Sequence, residues 1–393
     1  MPKIKETLKG IRKNVVVLGL ASFFTDISSE MLYPIIPIFL TNVLGAPMSV
    51  LGLIEGIAES TASILKGFSG WLSDKIGKQR PFVVWGYSLS SFAKPILFFA
   101  FAWPLVLLSR FLDRVGKGLR TSARDAMIAD STDEAYRGKA FGFHRAMDTL
   151  GACIGPLLAI LFLTVLKENI RIVFLIAFVP AILAVLTLVF FLKETPIKRL
   201  NNKDGIKFNL NIFSPNFKMF LFASAIFAIG NSSDAFLIMR SKGLGLSVTM
   251  VILAYVVYNI SYAVLSTPFG ILSDKMPRKY VMIIGYAVFA FVYLGFAVIT
   301  GSRMVWPLFF IYGFYIAMTD GVGKALVSDM VPKEYIGTAM GLYHFVLGIF
   351  AFFASLTAGL LWTYISPSAV FYYGAALSIA SCFLFARIKY AHP

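Results

Sequence analysis

Asp26 with Glu30, and Glu55 with Glu59, are carboxylate pairs spaced four residues apart, so each pair shares one face if its segment is helical. Arg110, Asp113, Arg114 and Lys117 fall at i, i+3, i+4 and i+7, a single charged stripe, and His144, Arg145 and Asp148 follow on the next apolar run. A charge in the middle of a membrane costs about 2.5–3.5 kcal/mol on insertion scales, so these residues must face a cavity or a partner. Carboxylates crowded together away from water share protons more readily than they hold separate charges. That behaviour is what a proton carrier needs, and it makes Glu30, with Glu55, Glu59 and Asp26, the candidate coupling group. Arg110, Asp113, Arg114, Arg145 and Asp148 form a candidate cavity charge network, although opposite signs on neighbouring helices also neutralise one another as plain structural ion pairs. Lys66 and Lys117 can snorkel toward an interface.

The later half of the chain is aromatic where the earlier half is charged. Tyr255, Tyr258 and Tyr262 recur at i, i+3 and i+7, and Phe309, Tyr312 and Tyr315 repeat every three. Tyrosine gives apolar bulk with a polar tip. With Asp234 and Asp320, the residues Tyr255, Tyr258, Tyr312 and Tyr315 are candidates for the wall of a cavity that takes an organic substrate; an ordinary core or interface belt is the plainer reading of any one of them.

The elements that must carry these residues are membrane helices. Hydrophobic residues make up 58% of the chain and charged residues 14%, against roughly 45–50% and about 25% in soluble proteins. Apolar runs bounded by charge or turn residues give twelve spans, at 14–41, 49–72, 81–101, 104–127, 139–163, 170–192, 217–239, 248–272, 280–300, 304–328, 336–362 and 368–388. The first is expected to be a retained helix, since no small-residue cleavage site follows it. Lys3, Lys5, Lys9, Arg12 and Lys13 precede it, and the even-numbered connections are rich in Lys and Arg, whereas the odd ones hold only Lys167, Arg171, Arg240, Lys242 and Arg303. The positive-inside rule then puts both termini in the cytoplasm. The net charge of +16 is explained by these loops and not by a nucleic-acid face. Cys153 and Cys382 each lie in an apolar run and support neither a disulfide framework nor a thiolate metal site.

The chain is built twice. Gly70 to Arg80 reads Gly-Trp-Leu-Ser-Asp-Lys-Ile-Gly-Lys-Gln-Arg, and Gly270 to Lys279 reads Gly-Ile-Leu-Ser-Asp-Lys-Met-Pro-Arg-Lys. A second correspondence, Asp130–Gly142 with Asp329–Gly341, has an offset one residue different. The expected domains are a six-helix bundle over 1–192, a polar cytoplasmic linker over 193–216, and a second bundle over 217–393.

The loop pattern resembles the signature between helices two and three of the major facilitator superfamily, which has a degenerate copy between helices eight and nine. The resemblance implies an all-α polytopic fold, twelve transmembrane helices in two pseudo-symmetric six-helix bundles, in the inner (plasma) membrane. Parallel halves of this kind place a substrate near the bilayer midplane and work by alternating access. The loop residues Gly70, Asp74, Lys75, Gly77, Arg80, Gly270, Asp274 and Lys275 become a conformational latch, in which an aspartate at the end of an even helix holds one state closed. Gly151, Gly155 and Pro156 resemble the helix-five signature of exporters and antiporters, with Ala159 and Ile160 where two glycines are expected; Gly151 and Gly155 also make a small-residue face for close packing, and Pro156 a kink. Arg110-Phe-Leu-Asp-Arg114-Val-Gly116-Lys-Gly118 resembles the family's arginine signature on helix four, with either Arg110 or Arg114 as the functional arginine.

The expected function is secondary active transport, a proton-coupled exporter of a small organic compound acting as a monomer without cofactor or metal. An ion or metal exporter using the carboxylate oxygens, a proton symporter for a metabolite, and a non-transporting sensor are the alternatives. No phosphate-binding loop and no Ser/His/Asp set is present, and His144, His344 and His392 are isolated, which argues against an enzyme.

Overall fold

The computed structural model describes residues 12–133, 136–194, 213–332 and 335–388, without the side chains of Trp71 and Asp74. Lys3, Lys5, Lys9, His392 and most of the expected linker lie outside the described residues. The described chain forms twelve helical rods: α1 (Lys13–Val43), α2 (Met48–Ile76), α3 (Arg80–Phe98), α4 (Trp103–Asp130), α5 (Arg137–Val165), α6 (Ile170–Phe191), α7 (Pro215–Gly243), α8 (Val248–Lys275), α9 (Arg278–Val298), α10 (Val305–Met330), α11 (Ile336–Tyr364) and α12 (Pro367–Ala386). Ten of them are long and apolar enough to cross a membrane. The other two are α3, with Ser88, Ser90, Ser91 and Lys94, and α4, with its charged stripe; both are polar because of what they carry inward.

The chain packs as two compact units, Met1–Ile35 with Ile64–Asn201, and Ile36–Ser63 with Asn202–Pro393. The end of α1 and the first half of α2 therefore belong to the second unit. In the first unit α1 packs on α5 and α6, and α3 on α4 and α6; in the second, α7 packs on α11 and α12, and α9 on α10 and α12. The two units thus repeat one packing scheme.

The repeat extends to individual hydrogen bonds. Ser73 Oγ donates to the Gly70 carbonyl at 2.9 Å and Ser273 Oγ to the Gly270 carbonyl at 2.7 Å, a step of 200 residues. After the loop the step is 199: Gln79 Nε2 donates to Asp130 Oδ2 at 2.8 Å and Arg278 Nη1 to Asp329 Oδ2 at 2.6 Å. Likewise Arg80 reaches the Val189 carbonyl at 3.0 Å and Lys279 the Ile388 carbonyl at 2.8 Å. The residue lost between the copies is Gly77. It ends α2 with φ +73°, and its N–H caps the Ser73 carbonyl at 2.9 Å, a left-handed cap that glycine adopts without the Cβ penalty. The second copy stops α8 with extended Met276 followed by Pro277, which has no N–H to continue a helix.

Helix ends are tied down in matching ways. Arg171 caps the end of α3 through the Phe98 and Ala100 carbonyls at 3.0 and 2.7 Å, and Arg240 caps α9 through the Phe296 and Ile299 carbonyls at 3.0 and 2.9 Å. These bases of the odd connections close helix C-termini, where a cation also complements the helix dipole.

Candidate functional site

In the first unit the helix-five glycines set the position of the helix-one carboxylates. A Cβ on Gly151 would stand 2.7 Å from the Phe23 carbonyl and 2.9 Å from the Asp26 Cβ, and one on Gly155 would stand 2.6 Å from the Ile27 carbonyl and 3.0 Å from the Glu30 Cβ. No side chain fits there, so α5 lies directly on the backbone of α1 at the two turns that carry Asp26 and Glu30. Both carboxylates are half-buried. Ser28 donates to the Ala177 carbonyl of α6, which fixes the opposite side of α1. Pro156 is buried in α5, and Cys153 between the glycines is a half-buried free thiol.

A second close crossing joins α3 to α4. A Cβ on Gly86 would lie 2.7 Å from the Gly116 carbonyl, and one on Gly116 would lie 2.8 Å from the Ser90 nitrogen. Around it are Lys94, Arg110, Arg114 and Arg120, 3%, 5%, 7% and 6% exposed, which puts buried cations and not lipid-facing ones on this stripe. Lys94 Nζ donates to Ser29 Oγ at 3.1 Å and stands 3.8 Å from Asp113 Oδ1. Arg120 Nη1 donates to Ser90 Oγ at 2.6 Å, and its guanidinium lies 4.5 Å over the Tyr87 ring. Arg110 lies 5.6 Å over the Tyr33 ring.

On α5, Asp148 meets its own helix neighbour His144 at 3.4 Å, while Arg145 is exposed. Arg124, from the end of α4, pairs with Asp125 at 2.9 Å. Lys94 and Arg120 are charges that the sequence reading notes, Lys94 inside the third span, without giving either a place in the site. Lys94 stands alone on α3 in the sequence, and Arg120 reads as one more base near a cytoplasmic connection; the Gly86 and Gly116 crossing is what shows both packed between helices.

The second unit holds the other carboxylate pair. Glu55, 1% exposed, accepts from Ser233 Oγ at 3.0 Å, and the Ser233 N–H donates to Ser355 Oγ at 3.2 Å, so α2, α7 and α11 meet at this point. Gly52 and Gly359 permit it: their backbones approach within a distance that leaves no room for a Cβ on either. Glu59, one turn on, is half-buried.

The tyrosines converge, but as buried groups of the second unit. Tyr312 donates to Asp234 Oδ1 at 2.7 Å and packs against Tyr258 and Tyr315, with ring centroids 5.2 and 5.3 Å apart. Tyr255 packs on Tyr258 at 5.5 Å, and Asn231 Nδ2 donates to the Tyr315 hydroxyl at 3.1 Å. Tyr255, Tyr258, Tyr312 and Tyr315 are 5%, 7%, 1% and 4% exposed, so a cavity-wall role would fall to their hydroxyl ends and not to open ring faces. Tyr262 reaches Asp320 Oδ2 at 3.1 Å, and Lys324 pairs with Asp320 at 2.8 Å on the exposed side of α10.

The repeat relates the two sets. One step of 199 residues takes Gly86 to Gly285 and Arg120 to Thr319, and a Cβ on Gly285 would meet Thr319 at 2.6 Å, as one on Gly86 would meet Arg120 at 2.7 Å. The same step takes Lys94 to Tyr293, Asp113 to Tyr312 and Gly116 to Tyr315. Charge in one unit and aromatic hydroxyls in the other occupy corresponding places.

At the loops, Arg278 bridges Asp274 Oδ1 at 2.9 Å and Asp329 Oδ2 at 2.6 Å. In the first copy Glu194 Oε1 accepts from the Gln79 and Arg80 N–H groups at 3.0 and 3.2 Å and closes the start of α3. The side chain of Asp74 lies outside the described residues, and Gly70 packs on Ser122 of α4. Among the described residues no three His, Cys, Asp or Glu side chains gather as a metal-ligand set.

The sequence profile of the Major Facilitator Superfamily matches residues 18–240 and again 219–393. An uncharacterized MFS-type transporter of Methanocaldococcus jannaschii is 40% identical over 387 residues, 97% of this chain and 96% of that protein. The quinolone resistance protein NorA of Staphylococcus aureus is 26% identical over 146 residues, 37% of each chain. Among solved structures, a nucleoside transporter, NupG, superposes with TM-score 0.74 at 14% identity, covering 97% of this chain and 100% of that one. A POT family transporter in complex with a thioalcohol-conjugated peptide gives 0.79 at 12% identity, covering 97% and 98%. With a profile that spans the chain and a full-length relative at this identity, on a fold of twelve helices in two repeats, the chain belongs to the Major Facilitator Superfamily of membrane transporters.

Proposed function

We propose that this protein is a proton-coupled secondary transporter that exports a small organic compound by alternating access. The observation that carries this reading is the placement of Asp26 and Glu30 on α1 at the two turns clasped by Gly151 and Gly155. A carboxylate held on a bare backbone contact changes its surroundings whenever α5 shifts on α1, and a shift of surroundings is what loads and unloads a proton. Glu30 is the carrier, with Asp26 one turn away; Glu55 and Glu59 serve the same role in the second unit. The buried cations of α3 and α4 offset the carboxylate charge when the proton leaves.

The tyrosine hydroxyls with Asp234 supply substrate contacts in the second unit. Arg278, bridging Asp274 and Asp329, is the latch on that side, and Gly70, Asp74, Lys75, Gly77 and Arg80 are its counterpart. Export is favoured by the likeness to a resistance protein over part of the chain, and the loop charges favour both termini in the cytoplasm. The test is transport in proteoliposomes with an imposed pH gradient, against a panel of drugs, metabolites and metal ions. Accumulation of an organic compound driven by an opposing proton gradient is the expected result; uptake in the direction of the protons would replace antiport with symport.

A further inference from the structure

Arg120 is buried, and the carboxylates that act on it, Asp26 and Asp113, do so without direct contact. Its polar contact is the neutral Ser90 hydroxyl, its cation rests on Tyr87, and no carboxylate ion-pairs with it among the described residues. Lys94, one turn beyond Ser90 on α3, has a hydroxyl partner in Ser29 and one stretched pair at 3.8 Å, to Asp113. Asp113 Oδ1 itself is buried with no hydrogen bond. Arg110 and Arg114 are buried on the same helix as Asp113 and Arg120.

Taking charge out of water without a matched partner is costly, and removing the cations would be the simple remedy if only the fold were at stake. The second unit has made that change. At the corresponding crossing Thr319 packs where Arg120 does, and Tyr293 and Tyr312 stand in for Lys94 and Asp113. The α3–α4 packing therefore does not require Arg120 or Lys94.

We infer that Arg120 and Lys94 form an anion subsite in the first unit, which takes the carboxylate or phosphate group of the transported compound. A guanidinium presents a planar fork that two oxygens of such a group match, and the ammonium adds a point charge. The Ser90 and Ser29 hydroxyls hold the two cations in place until the anion arrives. This rests on the transport reading for what the anion belongs to, but not for the binding itself.

The test is the thermal unfolding midpoint of the full chain in a neutral maltoside detergent, with inorganic phosphate, benzoate, benzyl alcohol and benzylamine as probes. Benzoate or phosphate should raise the midpoint by a few degrees, with benzyl alcohol and benzylamine inert. Arg120→Thr, which copies the second unit and should fold, is expected to weaken the anion response at least tenfold in apparent affinity, with Arg120→Lys in between.

Equal stabilisation by benzylamine, no response to either anion, or an undiminished response in Arg120→Thr would each overturn the subsite. A lipid headgroup is the other source of the same chemistry. In nanodiscs, a midpoint raised by phosphatidylglycerol over phosphatidylcholine alone, with no further response to benzoate, would assign the cations to lipid and overturn the substrate assignment. None of these measurements needs a proton gradient, so proton-driven transport with an unchanged anion response in Arg120→Thr would remove the subsite and leave the transport reading standing.

Discussion

Gly155 of α5 and Glu30 of α1 meet where a Cβ on the glycine would stand 3.0 Å from the Cβ of the glutamate and 2.6 Å from the Ile27 carbonyl. Any larger residue at 155 must push α1 and α5 apart. Gly155→Val is therefore expected to destabilise the protein by about 1–3 kcal/mol and to impair transport more than its stability loss alone explains. Thermal unfolding in detergent together with transport per folded molecule checks both; a variant as stable and as active as the native protein would show that the contact does not position Glu30.

The loop glycines should separate by conformation. Gly77 holds φ +73°, whereas Gly270 has ordinary helical geometry and open space around it. Gly77→Ala is expected to cost about 1–2 kcal/mol through the left-handed backbone, and Gly270→Ala to be neutral or slightly stabilising, since alanine is the better helix former by about 1 kcal/mol. Denaturation of the two variants side by side decides it.

Arg278→Gln removes the bridge to both Asp274 and Asp329. As a latch variant it should change the rate of cycling several-fold and leave equilibrium substrate binding within about twofold of native, since a latch acts on the conformational equilibrium. Loss of binding with normal cycling would place Arg278 at the substrate instead.

Tyr312→Phe keeps the ring packing against Tyr258 and Tyr315 and deletes only the 2.7 Å bond to Asp234. A hydrogen bond to a charged group contributes about 1.5–3 kcal/mol, so a loss of that order in substrate affinity is expected if the Asp234 carboxylate is held ready for substrate. A change confined to unfolding stability would make the pair structural.

The span pattern, the repeat and the loop were legible in the sequence because each rests on local chemistry: apolar runs, basic ends, glycine and proline at the turns. Even the change of offset between the two aligned stretches was visible, although its cause, the single left-handed Gly77, needed the backbone. What stayed hidden were pairings set by helix crossings. Glu55 and Ser233 lie on α2 and α7, far apart in the chain, and nothing local to either residue announces the other. The burial of Arg120 depends on two glycines on different helices, and a hydropathy reading places it near the end of the fourth span without saying which way it faces. The tyrosines were recognised by their spacing, but spacing does not say that their rings fill the second unit.

The central claim is that Glu30 carries the coupling proton. Glu30→Gln keeps the shape of the side chain and removes its charge, so with a transported compound in hand the measurement is transport in proteoliposomes across an imposed pH gradient, beside exchange without one. The variant should lose proton-driven accumulation and its pH dependence while retaining exchange of labelled for unlabelled substrate. Accumulation against a gradient at the native rate, with the native pH dependence, would contradict the account.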